Sequence, residues 1–587
     1  MRGKLHDFRL FLQRVWALTL PYFRSEQRWQ ARGLLLAIVA LNLAAVYMLV
    51  LINDWNRLFY DALQDKDEAV FWRELLRFSY LAFGFILIAV YRFYLTQLLQ
   101  IRWRAWMTQH YLQRWLQGHR FYQMELARYA GASAAPDNPD QRIQEDLNLF
   151  TSYTVSLSMG LLNAVVTLVS FVGILWSLSG PFSFTLGAQT YTIEGFMVWM
   201  AVLYCLAGSV ITHYIGRPQI ALNFMQQRYE ADFRHHLVRV REYSESIALD
   251  AGERVERTHL DLRFSRVLGN YLTLMRKQKN LLWFTNFFGQ AAVVFPFIVA
   301  APRFFSGAIA LGQLMQIASA FGRVQDALSW FVENYPALAA WRATTDRLTS
   351  FEAHMSGQQA AVGSLLRTTA DAAGPMQTKD LTLALPSGRT LLSGLNVQVY
   401  GGDSVLLQGP SGSGKSTLFR TLAGIWPFAR GQAQMPPDVM FIPQRPYFPE
   451  GCLREALSYP ESAARYTDAQ LAQALQQALL PQLVGRLDEE DAWSQKLSGG
   501  EQQRLAIARV LLKEPRWVFA DEATSALDPQ AERTLYARLL ELTQTRGGAL
   551  ISIAHRPAVA DFHKSRWTLL PEPTGAAAAY RLEPGKA

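Results

Sequence analysis

A glycine-rich stretch in the C-terminal half of the chain fits the phosphate-binding template G-x-x-x-x-G-K-[ST]. The apolar residues 405–407 before it predict a buried strand, and residues 418–423 after it predict a helix. Backbone N–H groups of such a loop can surround a polyphosphate, and the helix N-terminus adds partial positive charge. Lys415 would reach the β- and γ-phosphates, and the hydroxyl of Ser416 would ligate Mg²⁺. The residues expected to contact the nucleotide are Gly409, Ser411, Gly412, Ser413, Gly414, Lys415, Ser416 and Thr417.

Two carboxylates follow a second predicted strand. The apolar residues 517–520 end directly in Asp521 and Glu522. Asp521 is suited to hold the magnesium, directly or through water. Glu522 could polarise the water that attacks the γ-phosphate, because phosphoryl transfer depends chiefly on positioning and charge compensation. An acidic pair at a strand end can also be an ordinary helix N-cap, but with Lys415 upstream we favour the catalytic interpretation.

The turn Ser498-Gly499-Gly500 precedes a helical run over residues 505–512 and forms a second anion site, with free N–H groups and a capping hydroxyl. The chain thus has two phosphate-binding helix starts and one nucleotide-hydrolysing constellation, which predicts that two chains share each nucleotide. In these motifs the sequence resembles the ATP-binding cassette family. The resemblance implies that the Ser-Gly-Gly turn contacts the γ-phosphate held by the opposite subunit.

The same resemblance assigns three further positions. Gln444 resembles the Q-loop glutamine, which senses Mg²⁺ and faces the membrane domain, and Asp528 resembles the D-loop aspartate, which carries communication across the dimer. His555 resembles the switch histidine that contacts the γ-phosphate, although a lone histidine is more often a structural or surface residue. Leu385 departs from the family pattern, since many members stack the adenine on an aromatic residue there. The resemblance therefore implies weaker base selectivity, or selectivity from elsewhere.

Composition indicates a membrane protein. Half of the 587 residues are hydrophobic, 18% are charged, and the formal net charge is +9. The basic residues gather between apolar runs, and no aromatic–basic patch of the nucleic-acid-binding kind stands out. The bias of positive residues toward the cytoplasmic side therefore explains the excess better than a nucleic-acid partner does. The two cysteines form no CxxC, so neither a disulfide framework nor a zinc site is indicated.

Six apolar segments are candidate membrane spans, each close to the ~20 residues needed to cross the hydrocarbon core. They cover residues 33–53, 78–99, 155–178, 194–215, 282–303 and 306–325. Gln313, Gln316 and Arg323 interrupt the last, which predicts a helix that lines a water-filled path.

The distribution of basic residues between the spans predicts orientation. The N-terminus and the arginine-rich segments 100–150 and 217–281 should face the cytoplasm, and the loop 179–193, which has no Lys or Arg, should face outward. We expect no cleaved signal peptide, helical extensions in the inward segments, and both termini in the cytoplasm of a bacterium, with the chain in its inner membrane.

The predicted architecture is a six-span membrane α-helical domain followed by an α/β P-loop nucleotide-binding domain. The resemblance implies an exporter-type fold in a domain-swapped dimer. The expected boundaries are a transmembrane domain with cytoplasmic extensions over 1–345, a linker over 346–375, the ATP-binding cassette over 376–570 and a mobile, low-complexity tail over 571–587.

Two motifs in the inward segments indicate a branch of the family. Residues 138–143 and 242–248 resemble motifs of the SbmA/BacA-like transporters of peptides, cobalamin and bleomycin, and of peroxisomal fatty acyl-CoA half-transporters. The resemblance implies that they couple the membrane domain to the ATPase. The first could equally be an Asx-turn that starts a helix, and the second a solvated helix face. The candidate coupling residues are Asn138, Asp140, Arg142, Glu242 and Glu245.

An arginine lies in the middle of the second span. An intramembrane arginine is costly and usually faces a partner or water. Arg92 is therefore a candidate cavity residue, together with Tyr91, Tyr94, Gln313, Gln316 and Arg323; the alternative is an internal ion pair, for instance with Glu333.

These features predict a homodimeric half-transporter that hydrolyses ATP with Mg²⁺ and imports hydrophilic solutes such as cobalamin, peptides or bleomycin across the bilayer. The alternatives are an exporter of lipid, fatty acyl or drug-like substrates, and a membrane-embedded regulatory ATPase that moves no solute.

Overall fold

The structure is a computed structural model that describes residues 2–129, 138–179, 182–186, 189–357, 365–371, 374–573 and 577–586. The chain divides into two compact units. The first comprises Met1–His110 and Asp140–Thr349, and the second comprises Tyr111–Pro139 and Ser350–Ala587.

Helices, most of them long, dominate the first 357 residues. They are α1 (Arg2–Arg24), α2 (Arg28–Gln64), α3 (Glu68–Leu116), α4 (Arg120–Tyr129), α5 (Pro139–Gln141), α6 (Leu147–Ser179), α7 (Phe196–Glu242), α8 (Ser244–Leu249), α9 (Glu253–Phe305), α10 (Leu311–Glu333) and α11 (Tyr335–Gly357). A 3₁₀ turn (Gln117–His119) precedes α4, and a π-helical turn (Arg142–Asp146) precedes α6. Between α6 and α7, strands β1 (Phe182–Leu186) and β2 (Gln189–Ile193) pair antiparallel.

Five helical segments in the described residues are long and apolar enough to cross a membrane, and they match the first five predicted spans, the fourth beginning at Phe196 and not at residue 194. The predicted inward segments are also largely helical: α7 continues to Glu242 and α9 begins at Glu253. The sixth predicted span corresponds to α10, which begins later than expected and is not among those five.

Helix α10 is packed inside the first unit, against α2, α6, α7 and α9. Its N-terminus meets α2, where Asp61 Oδ1 accepts from the backbone N of Gly312 at 2.9 Å and Gln64 Oε1 accepts from the N of Leu311 at 2.6 Å. These acceptors satisfy N–H groups that lack partners within the helix. Its apolar face enters a buried cluster with α6 and α7, whose members include Phe171, Leu175, Ala201, Ile317, Phe321 and Val324. A helix covered by protein in this way needs fewer apolar residues than one that faces lipid.

The second unit contains most of the strands. From residue 365 onward, its strands and α-helices in chain order are β3 (Leu365–Thr369), β4 (Met376–Ala384), β5 (Thr390–Leu395), β6 (Gln398–Val399), β7 (Ser404–Gln408), α12 (Lys415–Leu422), β8 (Ala429–Met435), β9 (Val439–Ile442), β10 (Gly451–Cys452), α13 (Leu453–Ser458), α14 (Asp468–Gln477), β11 (Glu490–Asp491), α15 (Trp493–Lys496), α16 (Gly499–Lys513), β12 (Trp517–Asp521), α17 (Pro529–Thr545), β13 (Leu550–Ile553), α18 (Pro557–Ala560), β14 (Ser565–Pro571) and β15 (Tyr580–Lys586).

Two main sheets build this unit. One has the strand order β15-β14-β7-β13-β12-β9 and is parallel except for β15, and the other contains β3, β8, β4, β5 and β6. The parallel strands β7 and β12 are buried for most of their length, which explains their continuous apolar sequences. Because the carboxyl ends of parallel strands lie at one edge, the loops after β7 and β12 come together there.

Two segments differ from the predicted domain organisation. The expected linker 346–375 includes the end of α11 and strand β3, and β3 pairs in parallel with β8 of the second sheet. The expected mobile tail includes β15, which pairs with all seven residues of β14. Strand pairing satisfies backbone groups along one side of β3 and of β15, and the glycine- and alanine-rich residues near both strands concealed this in the sequence.

Candidate nucleotide site

The phosphate-binding loop joins β7 to α12, as its sequence predicts. Two of its glycines are required by geometry. Gly414 has φ 94° at the N-cap of α12, and Gly409 has φ 155°, where an added Cβ would lie 2.8 Å from the Cβ of Leu569. A side chain at Gly414 would be strained in this left-handed conformation, and one at Gly409 would also collide with β14. The loop is therefore held in a backbone shape that only glycine permits.

The Lys415 ammonium lies inside this loop. Its Nζ donates to the carbonyl oxygens of Gly409 and Pro410, both at 2.9 Å. Burial lowers the pKa of Lys415, while the nearby carboxylates of Glu522 and Asp521 act in the opposite direction. Ser413 is fully buried and its hydroxyl has no hydrogen-bond partner among the described residues. The loop thus offers a buried cation and a free donor, which fits an anionic phosphate.

Two of the predicted magnesium ligands lie together, Ser416 in the first turn of α12 and Asp521 at the end of β12. The hydroxyl of Ser416 is close enough to Asp521 to lower the pKa of that carboxylate. Burial raises the pKa of Asp521, and Ser416 and the charges of Arg420 and Lys415 partly offset that effect. A hydroxyl and a carboxylate oxygen at the mouth of a phosphate loop are the ligands that Mg²⁺ takes in nucleotide sites, so the residues fit the ion.

The three residues predicted to be catalytic lie together, with Gln444 and His555 both beside the carboxylate of Glu522. Its Oε2 accepts from Nε2 of Gln444 at 2.8 Å, and its Oε1 lies 3.3 Å from Nε2 of His555. The backbone of Glu522 has φ 48°, an unusual conformation for a residue with a side chain. Its N–H donates to the carbonyl of Ile553 in β13 at 2.9 Å, which holds this conformation in place. Gln444 therefore contacts Glu522 in this structure, whereas the sequence predicted it also as a metal ligand.

The Ser-Gly-Gly turn caps α16. Ser498 accepts from the backbone N of Glu501 at 3.4 Å, and Glu501 Oε2 accepts from the backbone N of Ser498 at 3.0 Å, which forms a capping box. A Cβ at Gly500 would lie 3.1 Å from the carbonyl oxygen of Ala526, so glycine allows a close approach. No hydrogen bond or ion pair within the described ranges joins Ser498–Gly500 to the phosphate loop.

Asp528 also has a clear structural role. Its Oδ1 accepts from the backbone N of Gln530 at 3.1 Å and of Ala531 at 2.9 Å, which makes it the N-cap of α17. The bond from Ala531 and that from Gln530 lower the pKa of Asp528. The side chain therefore stays ionised at the helix start.

Sequence reasoning missed two side chains that organise the segment after Glu522. Gln503 Nε2 donates to Ser525 Oγ at 2.9 Å, and Gln503 Oε1 accepts from the backbone N of Ala526 at 2.8 Å. Arg556 donates to the carbonyl oxygens of Ser525 at 2.9 Å and Leu527 at 2.7 Å. Gln503 lies between the Ser-Gly-Gly turn and the helical run 505–512, and Arg556 directly follows His555, but nothing in their spacing indicates that they converge on this segment.

Leu385 occupies the position where many members of the family have an aromatic residue that stacks on adenine. Leu385 follows β4 and packs, partly buried, on the core between the two sheets. Tyr580 of β15 packs on the same core, and the backbone N of Ala579 donates to the carbonyl of Thr390 at 3.1 Å. Tyr580, from the C-terminal strand, therefore packs on the same core as Leu385.

The candidate cavity residues lie in the first unit. Arg92 Nη1 donates to Oδ1 of Asn42 at 3.3 Å, so its partner is an amide and not Glu333. Gln316 is buried, and its backbone carbonyl oxygen accepts from Asn53 Nδ2 at 3.3 Å. Tyr91 and Tyr94 are exposed, and Gln313 and Arg323 are half-buried.

The candidate coupling residues divide into two groups. Arg142 is buried and forms an ion pair with Asp146, which Arg347 also contacts at 2.6 Å. The exposed residues are Asp140, at the start of α5, and Glu242 and Glu245, at the end of α7 and in α8, while Asn138 is half-buried. Arg142 and Asp146 belong to the same helical turn, so the contact from Arg347 of α11 is what ties the start of α6 to another helix. The exposed group is accessible to another surface.

Comparison with known proteins identifies both a transmembrane region and a nucleotide-binding domain in this chain. The family described as ABC transporter transmembrane region 2 matches residues 18–305, and the family described as ABC transporter matches residues 392–525. The inner membrane ABC transporter ATP-binding protein YddA of Escherichia coli is 35% identical, over 94% of this chain and 96% of that protein. The human lysosomal cobalamin transporter ABCD4 is 26% identical, over 95% and 96%.

A solved structure shares the fold. A bacterial Atm1-family ABC exporter with ATP bound superposes with a TM-score of 0.70, covers 96% of each chain and is 18% identical. At this identity the likeness concerns the fold alone: a membrane helical region followed by a P-loop domain.

Proposed function

Because this chain belongs to the ATP-binding cassette transporter family, we propose that it is a half-transporter that couples ATP hydrolysis to the import of a hydrophilic solute. It has one membrane helical region and one nucleotide-binding domain. The observation that carries the ATPase part is the contact of Glu522 with Gln444 and His555, beside Asp521, whose pKa the nearby Ser416 hydroxyl lowers.

In the proposed reaction, Lys415 and the loop N–H groups bind the β- and γ-phosphates, and Glu522 orients and polarises the attacking water. His555, which lies by the carboxylate oxygen of Glu522 that Gln444 does not contact, stabilises charge at the γ-phosphate. Ser416 and Asp521 would hold Mg²⁺, which supplies charge compensation on the phosphate oxygens. The hydrogen bonds of Gln503 and Arg556 position the segment that follows Glu522.

We further propose that the working unit is a homodimer. Ser498–Gly500 begins a capped helix with donors available for an anion, yet within the described ranges no hydrogen bond or ion pair joins this turn to the phosphate loop of its own chain. A second copy would bring its own turn to the γ-phosphate and close the site. Closure would move the long helices of the membrane region, and hydrolysis would reset them.

Substrate and direction are the finer part of the proposal. The similarity to a protein named as a lysosomal cobalamin transporter supports cobalamin as the first solute to test. The motifs at residues 138–143 and 242–248 support the SbmA/BacA-like branch, with peptides and bleomycin as further candidates. The relative named as an inner membrane protein supports a bacterial inner membrane location, and the basic inward segments support cytoplasmic termini.

Uptake of labelled cobalamin tests this proposal. Bacterial cells that lack their own cobalamin uptake should take up the label when they express this chain, and Lys415→Ala should abolish that uptake. Lys379→Ala, an exposed lysine of the same unit, is the matched control and should retain uptake. ATP-dependent loss of label from loaded cells would show export. ATPase activity in proteoliposomes without movement of cobalamin, peptide or lipid would refute transport and favour a regulatory ATPase.

A further inference from the structure

Helices α7 and α9 pair side by side in the first unit. Gln219 Nε2 donates to the carbonyl of Lys277 at 3.3 Å, and Asn270 Nδ2 donates to the carbonyl of Leu222 at 3.0 Å. The residue numbers rise on one helix as they fall on the other, so the helices run antiparallel. The pair ends at α8, the short helix that connects them.

Two histidines and a glutamate meet close to this connection. His236 lies on α7, and Glu256 and His259 lie three residues apart on α9, which places both on one helix face. His236 Nε2 lies 2.7 Å from Glu256 Oε2, and one ligand atom from each of the three residues lies within 4.8 Å of the others. The side chains of His236 and Glu256 are only 12% and 27% exposed.

This ligand set has a definite coordination chemistry. Two imidazoles and one carboxylate suit Zn²⁺, Co²⁺, Ni²⁺ or Fe²⁺, whereas Mg²⁺ and Ca²⁺ prefer oxygen ligands throughout. Ligands bound at ~2.1 Å in a tetrahedron lie about 3.4 Å apart, so small rotations of these side chains would complete the geometry. We propose that His236, Glu256 and His259 form a binding site for a divalent transition-metal ion that joins α7 to α9.

The surroundings leave a position for a fourth ligand. A cavity of about 500 Å³ lies beside His259 and is also lined by His235 and Asp232. Its opening to solvent admits water as the fourth ligand. Arg263 and Arg266 line the same cavity, and their two positive charges outnumber the single negative charge of Asp232, which favours a small anion such as chloride in the cavity.

A bound ion would restrain the connection between the two helices. His236 is six residues, or ~9 Å, from the last residue of α7, and Glu256 is in the first turn of α9. The ion would therefore fix the two helices on either side of α8, where the exposed Glu242 and Glu245 lie. An effect on ATPase coupling rests on the proposed function, whereas metal binding itself does not.

Titration with Co²⁺ tests the site directly. Tag-free full-length protein in detergent should bind one Co²⁺ per chain and develop visible absorption bands of a four- or five-coordinate ion, which Zn²⁺ should displace. His259→Ala should weaken binding by about tenfold or more, because one of three protein ligands is lost. The structure makes this variant informative, since His259 is exposed and lies outside the His236–Glu256 contact.

Two further variants separate a metal site from a simple histidine–glutamate contact. Glu256→Gln keeps a hydrogen-bond partner for His236 but removes the charged ligand, so it should also lose the Co²⁺ bands. His213→Ala, an exposed histidine of α7 outside both the ligand group and the cavity, should bind as the parent does. Absence of stoichiometric Co²⁺ binding by the parent, or equal binding by the parent and His259→Ala, would overturn the assignment. An equal loss in His213→Ala would overturn it as well.

Discussion

Replacing the carboxylate of Glu522 with an amide should stop hydrolysis and leave nucleotide binding intact. Glutamine is almost the same shape as glutamate, so Gln444, now 2.8 Å from Oε2, and His555, 3.3 Å from Oε1, keep a neighbour of the same size. The amide cannot accept the proton of the attacking water. Lys415 and Asp521, which we propose bind phosphate and magnesium, are unchanged.

The size of the effect follows from the role. A positioned general base contributes about 100- to 10,000-fold to a rate. Each factor of ten corresponds to about 1.4 kcal/mol of activation free energy, so Glu522→Gln should raise the barrier by ~3–5 kcal/mol. The affinity for ATP should change by less than about tenfold, because the substitution removes no group that we assign to phosphate binding.

Phosphate release by the purified variant in lipid nanodiscs measures the rate, and retention of labelled ATP measures binding. Glu541→Gln, the same substitution at an exposed position of α17, is the matched control and should hydrolyse ATP as the parent does. A Glu522→Gln variant with a rate near that of the parent would refute the assignment. So would a loss of ATP binding equal to the loss of rate, because the residue would then act in binding.

Two remaining predictions use matched pairs within each unit. Ser498 and Thr467 both form capping boxes, so alanine at either position should lower the free energy of unfolding by ~0.5–2 kcal/mol. Only Ser498→Ala should also reduce ATPase activity, by severalfold. Equal ATPase activities in the two variants would contradict the γ-phosphate role of Ser498. Asp146→Ala removes the carboxylate that pairs with a buried arginine and should lower the free energy of unfolding by about 3–5 kcal/mol, as measured by thermal unfolding. Asp346→Ala breaks an exposed ion pair and should lower that free energy by at most about 1 kcal/mol. Similar losses of stability in the two variants would show that the buried carboxylate does not anchor the start of α6.

The nucleotide site shows how far local sequence reaches. The phosphate loop could be predicted because glycine spacing, a preceding buried strand and a following helix are all set within about a dozen residues. The contact of Gln444 with Glu522 joins residues 78 positions apart and depends on β9 and β12 being neighbours in the sheet. The resemblance named both residues, but only the packed sheet brings their side chains together.

Flanking composition misled the prediction at both edges of the nucleotide domain. Alanine- and glycine-rich residues around β3 and before β15 indicated a linker and a mobile tail, yet both strands pair in the sheets. Strand pairing depends on the partner that is available, and a single sequence does not show the partner. Helix α10 illustrates the same point, because its burial by other helices reduces the apolar composition by which a span is recognised.

The sequence by itself determined that this chain binds a nucleoside triphosphate and that its first half is built from membrane-length helices. Both properties reside in short, contiguous patterns: a loop that only glycine allows, and apolar runs long enough to cross a bilayer. The tertiary structure alone decided which distant side chains meet: Gln503 with Ser525, Arg347 with Asp146, and His236 with Glu256. Those contacts depend on how helices and strands pack, because each joins groups that the chain brings together only when it folds.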